Sequence, residues 1–332
     1  MRVTIAEAVE ILSQKFLMQE GISGVSYAAG SSPRLRIYVE SEEVAWRVPE
    51  TILGYPVEVK VVGRIYALGA RGVSVLTGVS GDKTWRWRPI CGGISVGVAG
   101  GTTGTIACRV YDRSTGEVLI LSNRHVLSGD VGAPVIQPGA ADGGSYPDDA
   151  VGYVYRFIDV RPPPLDNRVD AALAKPVVEV SDEVLDVGVV TEVADPVEGM
   201  TVCKSGRTTC YTCGRVVDTH ASVKVYGYPF GYAIFTDQVI VEPAIGAPGD
   251  SGSLVVEAGS KRAVGLLFAG SDVVAVFNKI NNVLDALNIS LRPRAPDAYP
   301  PVPPAYIAVA SAPLVFTMTV LGFSEISRYF AV

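Results

Sequence analysis

The sequence contains few of the side chains that bind metals or nucleic acids. Among 332 residues there are only two histidines, His125 and His220, and five cysteines. A histidine-rich metal site is therefore not expected, and the cysteines are too few for a small disulfide scaffold. Charged residues make up only 19%, and the formal net charge is −6. This composition predicts a folded chain that does not bind nucleic acid, and we expect neither a metal nor a cofactor.

The N-terminus has no uninterrupted apolar run, so no secretory signal is expected. Glu7, Glu10 and Lys15 lie among apolar residues that recur at helical spacing, which predicts an amphipathic helix. Two strand-like runs, a short helix capped by Ser41 and a further strand follow. The order α-β-β-α-β predicts that residues 1–83 form a small α+β domain.

The pattern changes at about residue 84. Short Val/Ile-rich runs alternate with Gly, Pro and Asp turns up to residue 290, which is typical of a β-barrel or sandwich. The segment NKINNVLDALNI is the clear helix in this region. The sequence therefore predicts a mainly β domain over residues 84–290, followed by a Pro-rich linker and an apolar tail over residues 291–332.

The tail permits two interpretations. Residues 305–323 contain no charge and number 19, close to the ~20 residues that span a bilayer as a helix. Alternatively, Leu314–Leu321 is a buried strand, because its threonines alternate with apolar residues. The sequence is therefore compatible with a cytoplasmic protein or with one that contacts a membrane through this tail. It does not indicate an oligomeric state.

Three short segments contain residues that could act together in acyl transfer. His125 directly follows the strand-like run EVLILS, Asp170 begins an apolar run, and Ser251 lies in the loop GAPGDSG. A serine hydroxyl needs a base to become a nucleophile, and a carboxylate can orient a histidine for that task. Asp148, Asp159 and Asp166 are weaker alternatives to Asp170.

Glycine near the serine predicts an oxyanion site. Gly249 lacks a Cβ, so the Gly249–Ser251 turn can direct the N–H groups of both residues into one small cavity. His220 follows a strand without any such motif and is predicted to be structural.

The order His, Asp, Ser, together with GDSG and the segment VCKSGRTTCYTCGRV, resembles chymotrypsin-like serine peptidases. The similarity is to the bacterial alpha-lytic protease/streptogrisin branch and covers residues 90–288, about 60% of the chain. It implies a double six-stranded β-barrel, with Ser251 as nucleophile, His125 as base and then acid, and Asp170 as its orienting carboxylate. It also implies that the N–H groups of Gly249 and Ser251 form the oxyanion hole.

The resemblance further implies cysteine pairing. The family's disulfide at the start of the second barrel corresponds to Cys203 and Cys213, and Cys91 with Cys108 is a second candidate pair. Cys210 lies where the family usually has glycine. The segment RPICGG (88–93) is similar to an animal zymogen junction, but Pro89 would resist cleavage there.

The same resemblance predicts an apolar pocket for the residue before the scissile bond. Ile245 would form its base, and Phe268 and Gly270 would lie on the flanking strand. We therefore expect a preference for small or medium apolar residues, with Phe268 narrowing the pocket. Ser253 also departs from the family, which often has glycine there.

Two classes of function follow. The first is a serine endopeptidase that acts on proteins or peptides through an acyl-enzyme. The alternative is a weak or inactive peptide-binding or scaffolding protein on a protease fold. In either case, residues 1–80 could inhibit the cleft or assist folding.

Overall fold

The computed structural model describes residues 3–29, 32–69 and 83–293. Strands dominate these residues, so the predicted mainly β class is confirmed. The linker and tail lie outside the described residues from position 294 onward, and the two interpretations of residues 305–323 stay predictions. Across the described ranges, no helix has the length and apolar character needed to cross a membrane.

The N-terminal elements follow the predicted order. Thr4 caps the first helix through a capping box with Glu7, and Ser41 caps the second by accepting a hydrogen bond from Val44 N–H. The elements are α1 (Ile5–Phe16), β1 (Ile22–Ala28), β2 (Arg34–Val39), α2 (Glu42–Ala45), β3 (Thr51–Ile52), β4 (Tyr55–Val61) and β5 (Tyr66–Ala67). The apolar face of α1 packs on β1 and β2 in one buried cluster. Whether residues 1–83 form a separate domain stays a prediction.

A first large sheet lies in the region after residue 83. The elements of this region are β6 (Ile90–Gly92), β7 (Ser95–Val98), β8 (Thr103–Thr105), β9 (Cys108–Asp112), β10 (Val118–Ser122), β11 (Pro134–Ile136), a 3-10 turn (Ala140–Asp142), β12 (Ala150–Phe157), β13 (Asp166–Asn167), β14 (Ala172–Pro176), β15 (Val180–Val184) and β16 (Gly188–Val189). The sheet has the strand order β9-β10-β14-β12-β11-β7-β8, and β23 (Ile289–Ser290) pairs with β9 at one edge. Neighbouring strands of the sheet are antiparallel, and Ser122 at the end of β10 lies opposite Ala172 at the start of β14. The residues that follow β10 and those that precede β14 therefore lie close together, at the same end of these two strands.

The second large sheet contains a long hairpin. The elements here are β17 (Thr201–Gly206), β18 (Cys210–Tyr228), β19 (Gly231–Glu242), β20 (Leu254–Glu257), β21 (Ala263–Gly270), β22 (Ala275–Lys279), α3 (Ile280–Ala286) and β23 (Ile289–Ser290). Helix α3 confirms the helix predicted in NKINNVLDALNI. Strands β19, β22, β21, β20, β17 and β18 lie in that order, so the loop before β20, which carries Ser251, lies beside β17 and β21.

The N-terminal elements join this second sheet directly. Strand β1 pairs antiparallel with β18, with Val25 opposite Ser222. Beside that pairing, the buried Asp218 carboxylate accepts hydrogen bonds from Ser26 Oγ at 2.8 Å and from Tyr38 Oη at 2.6 Å. Residues 1–293 form one compact unit. The first 69 residues are thus attached to the second sheet by both backbone and side-chain bonds.

Candidate active site

His125 and Asp170 meet at the edge where β10 ends and β14 begins. The imidazole Nδ1 lies 2.7 Å from Asp170 Oδ2, and the backbone N–H of His125 donates to Oδ1 at 3.1 Å. Because a carboxylate only accepts, Nδ1 carries the hydrogen of this bond. The two bonds hold the ring in one orientation and leave Nε2 for other chemistry.

Tyr228 is a third member of this group that the sequence analysis did not identify. Its hydroxyl donates to Asp170 Oδ2 at 2.6 Å, and both side chains are buried. Burial acts to raise the pKa of Asp170, but the facing His125 and the Tyr228 hydroxyl outweigh it and hold that pKa below its usual value. The carboxylate therefore stays ionised at neutral pH.

The alternative aspartates Asp159 and Asp166 and the other histidine make no hydrogen bond with His125 among the described residues, although Asp159 lines the same cleft. Asp166 accepts a hydrogen bond from Thr236, and Asp159 lies 3.8 Å from Arg124. His220 is half exposed and stacks on Tyr27. Only Asp170 is hydrogen-bonded to His125 within the part of the chain that the structure describes.

His125 Nε2 is buried and has no hydrogen-bond partner among the described residues. The ring lies in a cleft lined in part by Gly69, Thr102 and Tyr228. A buried ring nitrogen without a partner costs free energy, so this atom is suited to a transient proton rather than to a structural bond.

Ser251 is buried on a loop that touches the His125 loop. A Cβ built on Gly104 would lie 2.4 Å from Val126 Cγ2 and 2.7 Å from the Ser251 carbonyl oxygen, so the two loops meet at this glycine. The Ser251 hydroxyl donates to the Phe268 carbonyl at 3.1 Å. The serine–histidine hydrogen bond that the resemblance implies is therefore absent in this conformation.

Gly249 directs its N–H into the cleft. Its φ is +103°, and a Cβ there would lie 2.3 Å from Thr208 Oγ1, so only glycine fits. The Gly249 N–H donates to the Leu68 carbonyl at 2.5 Å, whereas the Ser251 N–H makes no backbone hydrogen bond among the described residues. Of the two predicted oxyanion donors, one thus already holds a peptide carbonyl.

A buried ion pair holds the loop between these two residues. Asp250 Oδ2 lies 3.3 Å from Lys204 Nζ, with both side chains fully buried. The carboxylate also accepts hydrogen bonds from the backbone N–H groups of Thr208 and Thr209. Burial lowers the pKa of Lys204.

The cleft contains a segment of the same chain. Strand β5 pairs antiparallel with β21, with Ala67 opposite Ala269. Leu68 continues this pairing, because its N–H donates to the Phe268 carbonyl at 3.0 Å. Residues 66–68 therefore lie along β21 as an added strand.

Leu68 packs among apolar residues that include Ile245, one of the residues predicted to line the substrate pocket. Its side chain is 5% exposed and belongs to the buried cluster that contains Ile245. A Cβ built on Gly246 or Gly270 would lie 3.3 or 3.5 Å from Leu68 Cδ1. Phe268 does not narrow this pocket as expected, because its ring packs on Phe235 in a different cluster, with centroids 4.7 Å apart.

One of the two predicted disulfides is present. Cys203 and Cys213 lie opposite each other on β17 and β18 and are bonded. The second pair is wrong, because Cys91 and Cys108 are separate buried thiols. Burial raises the pKa of Cys91 to about 11 and that of Cys108 to about 12, which makes both unreactive. Cys210 is also a free thiol.

No group of three or more His, Cys, Asp or Glu side chains in the described ranges could hold a metal ion. The site is thus built from a serine, a histidine, an aspartate and backbone N–H groups.

The chain matches no protein-family model and no curated protein. Among solved structures it is similar to a Nocardiopsis protease (TM-score 0.45, 20% identity, 61% of this chain and 98% of the other). It is also similar to Thermobifida fusca protease A, with a TM-score of 0.45 and 20% identity over 60% of this chain and 97% of the other. A third similar structure is Cellulomonas bogoriensis chymotrypsin, with a TM-score of 0.44 and 19% identity over 61% of this chain and 98% of the other. The solved structures named here are thus proteases of the kind that the sequence resembles.

Proposed function

We propose that the protein is a serine endopeptidase in which Ser251 is the nucleophile, His125 the proton carrier and Asp170 the orienting carboxylate. The main observation in support of this proposal is the hydrogen bonding of the His125 imidazole. Asp170 Oδ2 lies 2.7 Å from its Nδ1, while Nε2 is buried without a hydrogen-bond partner among the described residues, in a cleft beside the Ser251 loop. This is the arrangement that a general base for a serine requires.

The reaction begins when the Ser251 hydroxyl turns from the Phe268 carbonyl toward His125 Nε2. The imidazole takes the proton as Oγ attacks the substrate carbonyl, and Asp170 stabilises the imidazolium that forms. The N–H groups of Gly249 and Ser251 stabilise the oxyanion, an effect for which one donor is worth about 2.7–4 kcal/mol. His125 then protonates the leaving nitrogen, and water hydrolyses the acyl-enzyme.

Labelling with a fluorophosphonate tests this proposal. Because Leu68 lies in the pocket, the labelling uses both the wild-type chain and Leu68→Lys, whose charged side chain does not fit an apolar pocket. We expect labelling of Ser251 that disappears in Ser251→Ala and falls at least about 100-fold in His125→Ala. His220→Ala is the matched control and should label normally. If folded protein remains unlabelled in every variant across neutral pH, the proposal is wrong.

A second candidate function is peptide binding without turnover. The specific observation in its favour is that the Ser251 hydroxyl donates to Phe268 rather than to His125. Titrating Leu68→Lys with apolar peptides separates the two functions. A binder retains the peptides intact, whereas a peptidase converts them to two products.

A further inference from the structure

The peptide group that offers its N–H to the oxyanion is held by a side chain from a neighbouring loop. The Gly249 N–H belongs to the peptide that joins Pro248 to Gly249, and the carbonyl of that same peptide accepts a hydrogen bond from Thr208 Oγ1 at 2.8 Å. We propose that Thr208 is a positioning residue for the oxyanion hole, which keeps this N–H directed into the cleft and strengthens it as a donor. This proposal rests on the proposed function.

The directions of the hydrogen bonds at Thr208 follow from its two partners. Arg207 Nη1 lies 3.1 Å from Thr208 Oγ1, and a guanidinium can only donate. The Pro248 carbonyl can only accept. The Thr208 hydroxyl therefore accepts the hydrogen from Arg207 and donates its own hydrogen to the carbonyl, and neither bond can be reversed.

Arg207 is itself fixed, so it can hold the Thr208 hydroxyl in one orientation. Its side chain is fully buried, and its Nε and Nη2 atoms both donate to the Asp142 carboxylate, Nε at 2.7 Å. The same carboxylate accepts a hydrogen bond from Ser95 Oγ at 2.5 Å. Because this two-point ion pair uses Nε and Nη2, it leaves Nη1 for Thr208. The bonds that reach the Pro248 carbonyl thus begin at a buried ion pair.

The peptide between Pro248 and Gly249 needs such a restraint because one of its two residues is glycine. Gly249 has a φ of +103°, and glycine adopts values of the opposite sign at little cost. Rotation of this peptide by half a turn would move its N–H out of the cleft and bring its carbonyl oxygen in. Among the described residues, Thr208 is the only hydrogen-bond donor to that carbonyl. Rotation would break this bond, so Thr208 opposes it.

The next peptide along the loop is held by other groups. The Gly249 carbonyl accepts a hydrogen bond from Thr105 Oγ1 at 2.8 Å, and the Asp250 N–H donates to the Ala247 carbonyl at 2.9 Å. Neither bond acts on the Pro248 carbonyl. The orientation of the Gly249 N–H therefore depends on Thr208 in particular.

The same bond strengthens the N–H as a donor. Hydrogen bonds arranged in a chain polarise one another, by about 10–30% per bond. Here the chain runs from the Arg207 guanidinium through the Thr208 hydroxyl and the peptide to the Gly249 N–H, which donates to the Leu68 carbonyl at 2.5 Å. A substrate carbonyl would take the place of the Leu68 carbonyl. Because negative charge develops on that oxygen only as Ser251 attacks, the gain is largest in the transition state.

Two substitutions at residue 208 test the role of the hydroxyl. Thr208→Val removes the hydroxyl and keeps the branched shape, whereas Thr208→Ser keeps the hydroxyl. Both are made in the full-length chain that carries Leu68→Lys, with a peptide that has Leu before the scissile bond as substrate. We expect Thr208→Val to lower kcat at least about tenfold at unchanged KM, which is less than the roughly 100–1,000-fold loss of a whole donor. Thr208→Ser should keep the kcat of the parent chain.

Fluorophosphonate labelling and a control variant complete the experiment. The rate of labelling should fall in Thr208→Val by a factor similar to that in kcat, because the reagent also places an oxygen in the oxyanion hole. Thr236→Val is the matched control, since Thr236 is half-buried like Thr208 but its hydroxyl donates to Asp166, and it should retain kcat, KM and the labelling rate. Urea unfolding establishes that each variant is folded.

The outcomes separate this role from the proposed function. If the parent chain is labelled but Thr208→Val reacts at the same rate, or if Thr208→Ser is as slow as Thr208→Val, Thr208 does not act through its hydroxyl and the peptidase stands. A rise in KM at unchanged kcat would likewise overturn the positioning role. If no variant is labelled and none cleaves the peptide, both proposals fail.

Discussion

Lys204 Nζ and Asp250 Oδ2 form an ion pair in which both side chains are fully buried, directly beneath the loop that carries Ser251 and Gly249. The backbone N–H groups of Thr208 and Thr209 also donate hydrogen bonds to this carboxylate. The pair therefore links the position of the candidate oxyanion donors to the interior of the second sheet.

Replacing Lys204 should destabilise this loop. Lys204→Met leaves the Asp250 carboxylate buried without its cation, and breaking such a pair costs about 3–5 kcal/mol. Urea unfolding measures this loss, and fluorophosphonate labelling should fall with it. Lys175→Met, which removes an exposed pair with Glu117, is the matched control and should change little. Equal unfolding midpoints for the two variants would contradict the role of the pair.

Removing the Tyr228 hydroxyl should alter the pH dependence of activity. Tyr228 helps to lower the pKa of Asp170, so Tyr228→Phe raises it, and the acidic limb of kcat/KM should move to higher pH. We expect the loss of kcat/KM to grow as the pH falls, because the hydroxyl stabilises the ionised form of the carboxylate. Tyr232→Phe, in the neighbouring β19, should retain the wild-type profile. A uniform loss at every pH would point to a purely structural role.

The pocket that holds Leu68 predicts the substrate preference. Peptides with Leu, Ala, Phe or Arg before the scissile bond should be cleaved fastest after Leu. Cleavage after Arg should be at least about 100-fold slower in kcat/KM, because Leu68 packs among apolar side chains that include Ile245 and would leave a guanidinium poorly solvated. The Leu68→Lys chain is the enzyme for this comparison. Fastest cleavage after Arg would exclude the apolar pocket.

The Tyr38 hydroxyl should stabilise the attachment of the N-terminal elements to β18. Tyr38→Phe removes a 2.6 Å hydrogen bond to the buried Asp218, which costs about 1–3 kcal/mol. Urea unfolding measures this loss in the free energy of unfolding. Tyr55→Phe removes a partly buried hydrogen bond to the Val3 carbonyl within the N-terminal elements, and should lower the free energy of unfolding less. An equal or larger loss in Tyr55→Phe would contradict the role of Tyr38.

Asp237 makes stability depend on acidic pH. Burial acts to raise its pKa, but hydrogen bonds from Lys279, Asn282 and Arg168 lower it to about 2. Between that value and the ordinary one near 4, the unfolded chain binds a proton that the folded chain does not. The free energy of unfolding should therefore fall as the pH falls from about 4 to 2. Asp237→Asn should flatten this dependence, which urea titrations at several pH values measure.

Much of the architecture follows from local sequence signals. Alternating apolar runs predict strands, and Ser41 and the segment around Ile280 predict helices, because caps and periodicity act over a few residues. The Asp170–His125 contact could be expected because a family resemblance links residues far apart in the chain. The family resemblance could not exclude a disulfide between Cys91 and Cys108. Whether two cysteines bond depends on the directions of their side chains, which cannot be predicted from their spacing in the sequence.

The sequence did not indicate a role for Lys204, Tyr228 or Leu68. The role of each depends on contacts with residues that are distant in the sequence. Lys204 carries a weak signal, since a lysine inside an apolar strand run needs a buried partner. Tyr228 and Leu68 carry none. Which N-terminal residue enters the cleft depends on how β1 docks on β18, and no local pattern encodes that docking.

The pairing of β1 with β18 has a consequence for a truncated protein that lacks residues 1–68. The backbone groups of β18 that face β1 near Ser222 and Val223 would lose their partners, which leaves an open strand edge on the surface. Such an edge can accept a strand from another polypeptide. The truncated protein should therefore self-associate more readily than the full-length chain.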